Sequence, residues 1–174
     1  MRIIAGKYRH RMLDFPKDNP DLRPTKDMAK EALFSIIGAR IKDARFLDLY
    51  AGVGSIGLEA VSRGARAAVF VDRDVRYIRA NTQKLGCTNI RIYRNDAQRA
   101  LSILQKKKEV FDIIFLDPPY RDGLFAVSAC FGILRSGGLL IVETDTSTVP
   151  PPDAQIADER RYGSTRILFL EQKL

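Results

Sequence analysis

From Ala44 onward, two hydrophobic rhythms alternate along the chain. Short apolar runs at Arg45–Leu49, Ala67–Val71, Ile90–Tyr93, Val110–Leu116 and Leu139–Glu143 read as buried strands. Between them the apolar positions take helical spacing. The predicted helices are Ser55–Arg63, stopped by Gly64; Asp74–Leu85, stopped by Gly86; Ala97–Gln105, ending at Lys106-Lys107-Lys108; and Leu124–Leu134, closed by Gly137-Gly138. This alternation predicts a parallel sheet covered by helices through right-handed crossovers. Val149-Pro150-Pro151-Pro152 excludes helix or central strand. Beyond it, Ile156–Arg161 and Thr165–Leu170 can pair around Tyr162-Gly163-Ser164 as a closing antiparallel hairpin.

The first forty residues follow a different pattern. Residues 2–13 set Ile3, Ile4 and Leu13 among Arg2, Lys7, Arg9, His10 and Arg11, with a possible turn at Gly6-Lys7, and predict a short basic β-hairpin or arm. Residues 14–24 are rich in Pro and Asp and predict a loop. Thr25 is a good N-cap for a helix whose apolar stripe is Met28, Ala29, Ala32, Leu33, Ile36 and Ile37. The whole is expected to form one domain over 1–174, with 1–22 as arm and loop.

Composition narrows the partner more than the fold. The 174 residues suit a single domain, and a hydrophobic fraction of 45% supports a core. A net charge of +8 favours an anionic partner, most often nucleic acid. Cys87 and Cys130 lie far apart with no histidine beside them, so neither a zinc site nor a disulfide framework is expected, and no metal is predicted. With no secretory signal and no apolar run long enough to span a bilayer, a cytoplasmic chain without membrane contact is expected, and a monomer.

Two motifs carry chemistry. Asp48-Leu49-Tyr50-Ala51-Gly52-Val53-Gly54-Ser55-Ile56-Gly57 joins a strand to its helix and contains a G-x-G-x-x-G, while Asp72 follows the next strand. Two cofactors compete for it. A dinucleotide would place its pyrophosphate at the helix N-terminus. S-adenosylmethionine would use close backbone approach at Gly52 and Gly54 and an acid near its cationic end. Asp48 suits the second, since an acid there repels a pyrophosphate; Asp72 suits either through a ribose diol. Asn95-Asp96-Ala97 could hold an adenine amine, with a helix N-cap an equally good role for Asp96.

The second motif, Asp117-Pro118-Pro119-Tyr120, stands at a strand's carboxyl end, where open α/β sheets bind ligands. Asp117 and a proline-fixed carbonyl can accept hydrogen bonds from a planar amine, and Tyr120 can stack on the attached base. Two acceptors draw the amine nitrogen towards sp3 and free its lone pair.

With these motifs in order, the chain resembles a class I S-adenosylmethionine-dependent methyltransferase of the amino-methylating kind. More closely, Arg2-Ile3-Ile4-Ala5-Gly6, Arg23-Pro24-Thr25, Glu31-Ala32-Leu33-Phe34, Gly57-Leu58-Glu59-Ala60 and Tyr162-Gly163 resemble the RsmD family, the 16S rRNA guanine-N2 methyltransferases. The resemblance implies a Rossmann-like α/β fold: a mostly parallel seven-stranded sheet, helices on both faces and a short N-terminal β-hairpin. It implies S-adenosyl-L-methionine as cofactor and ribosomal RNA of the small subunit, or its precursor, as partner. It makes Asp117, Pro118, Pro119 and Tyr120 the catalytic loop, and sets Thr25, Asp48, Tyr50, Gly52, Gly54, Asp72, Arg73, Asp96, Ala97 and Asp117 around the cofactor, with Thr25 near its carboxylate. Arg2, Lys7, Arg9, His10, Arg11 and Arg23 are the candidate RNA contacts. Three positions depart from the family pattern: Asp72 stands where Glu is frequent, His10 where Gly is common, and Lys26–Lys30 lacks an expected arginine. Methylation of DNA adenine or of a protein glutamine is the alternative; 174 residues leave no room for a DNA target-recognition insertion, and a glutamine enzyme would carry Asn in place of Asp117.

Overall fold

The strands share one register-locked sheet. A computed structural model describes residues 1–16, 25–118, 125–145 and 149–172, with the side chains of Thr25, Lys26 and Phe125 outside the description. Its elements are α1 (Thr25–Ile37), β1 (Arg45–Leu49), α2 (Ser55–Ser62), β2 (Ala67–Asp72), α3 (Arg76–Leu85), β3 (Ile90–Arg94), α4 (Ala97–Lys106), β4 (Phe111–Leu116), α5 (Phe125–Phe131), β5 (Leu134–Asp145), β6 (Ala154–Tyr162) and β7 (Thr165–Gln172). The strand order is β3-β2-β1-β4-β5-β7-β6. β1 to β5 pair in parallel, and β7 runs antiparallel to both β5 and β6, so the sheet is mixed at one edge.

Side chains alternate between the two faces with the strand period of two. Phe46, Phe70, Ile113, Phe115 and Ile141 face a core with Leu33, Phe34 and Ile37 of α1, Leu58 of α2 and Ile78 of α3. Leu47, Val69, Ile114, Leu116 and Leu140 face a second core with Leu101 and Leu104 of α4 and Val127 and Cys130 of α5. Among the described residues three α-helices thus cover one face and two the other. The order in which strands are added to the sheet reverses between the parallel neighbours β1 and β4, and that switch point opens the crevice in which such sheets take ligands.

The structure corrects several boundaries. The predicted helix to Leu134 ends at Phe131, and Gly137-Gly138 lie inside β5. They belong to an irregularity: Phe111 pairs with Leu134 but Ile113 with Leu139, so extra β5 residues bulge out opposite β4. A Cβ on Gly138 would sit 2.9 Å from the Asp112 carbonyl. A glycine pair therefore reads equally as helix stop and as strand bulge; only pairing with β4 decides. Asp74 precedes α3 and accepts the Arg76 N–H through its side chain, closing a turn where a helix start was expected. The expected N-terminal hairpin is present and short: Arg2 bridges Met12, Ile3 and Leu13 donate to the Arg11 and Met1 carbonyls, and His10 donates to the Ile3 carbonyl. Further hydrogen bonds anchor it to α2 and α3, as described below. Thr25 is the first residue of α1, and the cap expected of its side chain lies outside the described residues.

Candidate functional site

Period-two alternation delivers the site. Phe46, Phe115 and Ile141 all face the first core, so Asp48, Asp117 and Glu143, each two residues further on, follow on the same face at the carboxyl end of the sheet. β4 and β5 pair as Leu116 with Val142, which puts Asp117 beside Glu143 one residue later. Asp72 ends β2 nearby. Four carboxylates converge in a protein that is cationic as a whole.

The glycine loop is built on two of them. Asp48 is 1% exposed, and its Oδ2 accepts the Gly57 N–H at 2.8 Å, tying the end of β1 to the first turn of α2. Gly57 has no side chain because none fits: a Cβ there would lie 2.3 Å from the Phe70 ring and 3.0 Å from Asp48 Oδ2. Asp72 accepts the Gly52 N–H at 2.7 Å and the Asp74 N–H at 2.9 Å, so it also fixes the loop's shape. Burial pushes the Asp48 carboxyl up to about 7; the Gly57 N–H opposes this, and the charges of Asp117 and Asp72 add to it. Among the described residues neither Asp48 nor Asp72 has an ion pair, so a cation brought beside them would favour the ionised form of Asp48.

Three cavities meet at Tyr50, held at φ +62° in the left-handed region where non-glycine residues carry strain. One, of about 240 Å³, is lined by Asp48, Gly52, Val53, Ser55, Asp117 and Glu143. A second, of about 250 Å³, is lined by Arg73, Asp96, Ala97, Gln98, Leu101 and Ala126. The third, of about 380 Å³, is lined by Asp72, Asp117, Pro118, Glu143, Thr144 and Thr165. Asp96 caps α4 by accepting the Arg99 N–H at 2.8 Å and also lines the second cavity, so both roles considered for it are open to one side chain.

Comparison with known proteins agrees with this arrangement. A family described as "Conserved hypothetical protein 95", the RsmD family, matches residues 1–171. The chain belongs to that family. A relative from Bacillus subtilis (strain 168), named "Putative rRNA methyltransferase YlbH", is 34% identical over 184 residues, covering 99% of this chain and 100% of the relative. "Ribosomal RNA small subunit methyltransferase D" of Escherichia coli (strain K12) is 38% identical over 146 residues, covering 82% of this chain and 71% of the relative. The solved structure titled "Putative methyltransferase yhhF from Escherichia coli" superposes with a TM-score of 0.84 at 31% identity, covering 99% of this chain and 98% of that one.

Of the residues expected at an RsmD-family site, the structure brings Asp48, Tyr50, Gly52, Asp72, Arg73, Asp96, Ala97, Asp117 and Pro118 to the three cavities. Gly54 sits just behind them as the N-cap of α2. Pro119, Tyr120 and Arg23 lie outside the described residues, as does the side chain of Thr25.

The arm's side chains Arg2, Lys7, Arg9, His10 and Arg11 are exposed, but its backbone is anchored. Glu59 of α2, fully buried, accepts the N–H groups of Ile4 and Ala5 and pairs with Arg63 and Lys30. Lys30 donates to the Arg2 carbonyl at 2.7 Å and to Ser55 at 3.3 Å; burial lowers its pKa, with Glu59 and Asp27 opposing. Ser62 accepts the N–H groups of Lys7, through its carbonyl, and Tyr8, through its hydroxyl. Gly6 passes so close that a Cβ would lie 1.8 Å from the Ser62 carbonyl oxygen. Asn81 of α3 completes the link, exchanging hydrogen bonds with the Asp14 backbone and donating to the Val53 carbonyl in the glycine loop. His10 takes φ +67°, in the left-handed region that glycine adopts most readily.

Sequence reasoning missed Glu59, Lys30, Asn81 and Glu143 as members of this constellation. A buried Glu–Lys pair on two helices has no local signature. Glu143 offered one signal, an acid ending an otherwise apolar strand.

Proposed function

We propose that this chain transfers a methyl group from S-adenosyl-L-methionine to the exocyclic N2 amine of a guanine in 16S ribosomal RNA, within the small subunit or its precursor, acting in the cytoplasm as a monomer. The observation that carries the reading is the placement of Asp117-Pro118 at the switch point, lining cavities shared with the Asp48 glycine loop. The family membership supports the substrate class.

The residues fit that cofactor. Uncompensated Asp48 beside the Gly52 backbone suits a cationic amino-acid end, Asp72 a ribose diol, and the cavity of Asp96, Ala97 and Leu101 a flat base with one polar edge. A pyrophosphate would meet Asp48 and Asp72 instead of a cation, which disfavours a dinucleotide. When bound, the cofactor supplies an electrophilic methyl group.

The chain's own contribution is positional and electrostatic. Asp117 and the Pro118 carbonyl accept the hydrogens of the target amine and aim its lone pair. Asp117 also stabilises positive charge developing on that nitrogen. It need not be a strong base, because an N-methylated arylammonium loses its proton readily. The base must be unpaired or flipped out to reach this crevice; loops of RNA offer such bases. Anchored by Glu59 and Ser62, the arm presents Arg2, Lys7, Arg9, His10 and Arg11 to the RNA backbone as a fixed surface.

The test is transfer of labelled methyl to naked 16S rRNA, to small-subunit particles lacking native methylation and to duplex DNA, followed by digestion to nucleosides. Label in N2-methylguanosine from RNA or particles is expected. Label only in DNA, or none with cofactor bound, overturns the substrate assignment.

A further inference from the structure

Asp117 and Pro118 explain why an amine is methylated but not which base carries it. The N2 of guanine, the N6 of adenine and the N4 of cytosine are all exocyclic amines with two hydrogens, and a pair of acceptors treats them alike. What separates them is the ring nitrogen next to the amine. In guanine N1 bears a hydrogen and donates. In adenine N1, and in cytosine N3, the same position is an acceptor.

We propose that Glu143 reads this neighbouring ring position, accepting the N1–H of the target base and thereby selecting guanine. The proposal rests on the amine-methylating reading above.

Three observations place Glu143 for the task. It lies beside Asp117 across the β4–β5 pair, one residue beyond the Leu116–Val142 register, so the two backbones are about 4.8 Å apart. It follows Ile141 on the same face as Asp117 follows Phe115, so both side chains line the cavity that also holds Pro118. The alternation that buries Ile141 and Ile167 against the first core makes position 143 an interior-facing one, yet a carboxylate stands there and is only partly buried. Thr144 and Thr165 line the same cavity and bring hydroxyls that can donate to the remaining acceptor of a guanine edge, O6. With Asp117 on the amine, Glu143 on N1–H and a hydroxyl on O6, the donor and acceptor pattern matches guanine. The carboxylate would face a lone pair on adenine or cytosine, and a site built around a hydrogen bond rejects the analogue lacking it far more strongly than an apolar pocket does.

The test is a change of base preference. The methylated position is first mapped with the wild-type protein on its RNA or particle substrate. Substrates are then assembled with guanosine or 2-aminopurine at that position. 2-Aminopurine keeps the N2 amine but presents N1 as an acceptor. Wild type should prefer guanosine by at least about 10²-fold in kcat/KM. In Glu143→Gln the amide can accept from N1–H or donate to N1, so the preference should shrink at least about tenfold, with melting temperature near wild type. Glu143→Asp should keep the preference at reduced rate, and Glu143→Ala should shrink it at least about tenfold, leaving only the part due to O6, which 2-aminopurine lacks. An unchanged preference in Glu143→Gln and Glu143→Ala overturns the proposal, as does loss of all transfer in all three variants with cofactor still bound. Absence of transfer by wild type to the guanosine substrate would instead sink the functional reading on which it rests.

Discussion

The two ends of the central sheet use the same residue types in opposite ways. At the amino end, acids are neutralised. Glu109 pairs with Arg45 and Arg91, whose hydrogen bonds hold its carboxyl down to about 2. Asp112 is pushed up by burial, but the Arg45 N–H and the Arg135 guanidinium outweigh this and leave it below the usual range. At the carboxyl end, Asp48, Asp72, Asp117 and Glu143 crowd together, and Asp48 is raised instead. Charge at the amino end stabilises the fold. At the carboxyl end Asp48 is buried, and the charges of Asp117 and Asp72 further disfavour its ionised form, a perturbation of the kind that clusters at binding sites.

Glu59 sharpens the contrast, because it shows that pairing rather than location decides. It is fully buried close to the site, yet two backbone N–H groups, Arg63 and Lys30 surround it. Glu59→Ala should therefore behave like a lesion at the amino end and cost about 3–5 kcal/mol of stability, measured by chemical denaturation. A loss under about 1 kcal/mol would mean that the arm is not held as described.

Asp117→Ala should do the reverse. It is exposed, so melting temperature should hold while single-turnover methyl transfer falls by about 10²–10³-fold.

Asp48 separates the two behaviours within one residue. Its folded carboxyl, near 7, lies above its ordinary 3.8, so the folded chain binds the proton more tightly and loses stability as pH rises from 3.8 through 7. Asp48→Asn should melt higher than wild type at pH 8 and show no advantage at pH 4. The same ionisation should make wild-type affinity for S-adenosylmethionine rise between pH 6 and pH 7 by up to about tenfold, and calorimetric titration of Asp48→Asn should show no such rise.

The smallest effect belongs to Glu109. Its folded carboxyl lies below its ordinary 4.5, so its contribution is present above pH 4.5 and disappears as pH falls towards 2. Glu109→Gln should cost about 1 kcal/mol or less at pH 7 and nothing at pH 2, read from melting curves.

Much of this was legible in the linear chain because the signals are local. The glycine spacing from Gly52 to Gly57, the strand that ends in Asp117 and the alternation of apolar runs each lie within a dozen residues, and backbone geometry turns them directly into a loop, a strand end and a βαβ order. Arm chemistry was also visible, as a run of cations without an acid before Asp14.

What tertiary structure alone decided depends on residues far apart in sequence. Glu59 binds an arm 54 and 55 residues away, and Asn81 joins that arm to the glycine loop across 67 and 28. No local preference encodes such partners, so the sequence showed a hairpin or arm without its bonds to α2 and α3. Gly137-Gly138 read as a helix stop until pairing with β4 made it a bulge. The nearness of Glu143 to Asp117 is a matter of register between two strands, set by the side chains both bury. Sequence determined which groups end the strands; the packed sheet determined which of them stand side by side, because a period of two fixes a residue's face but only pairing fixes its neighbour.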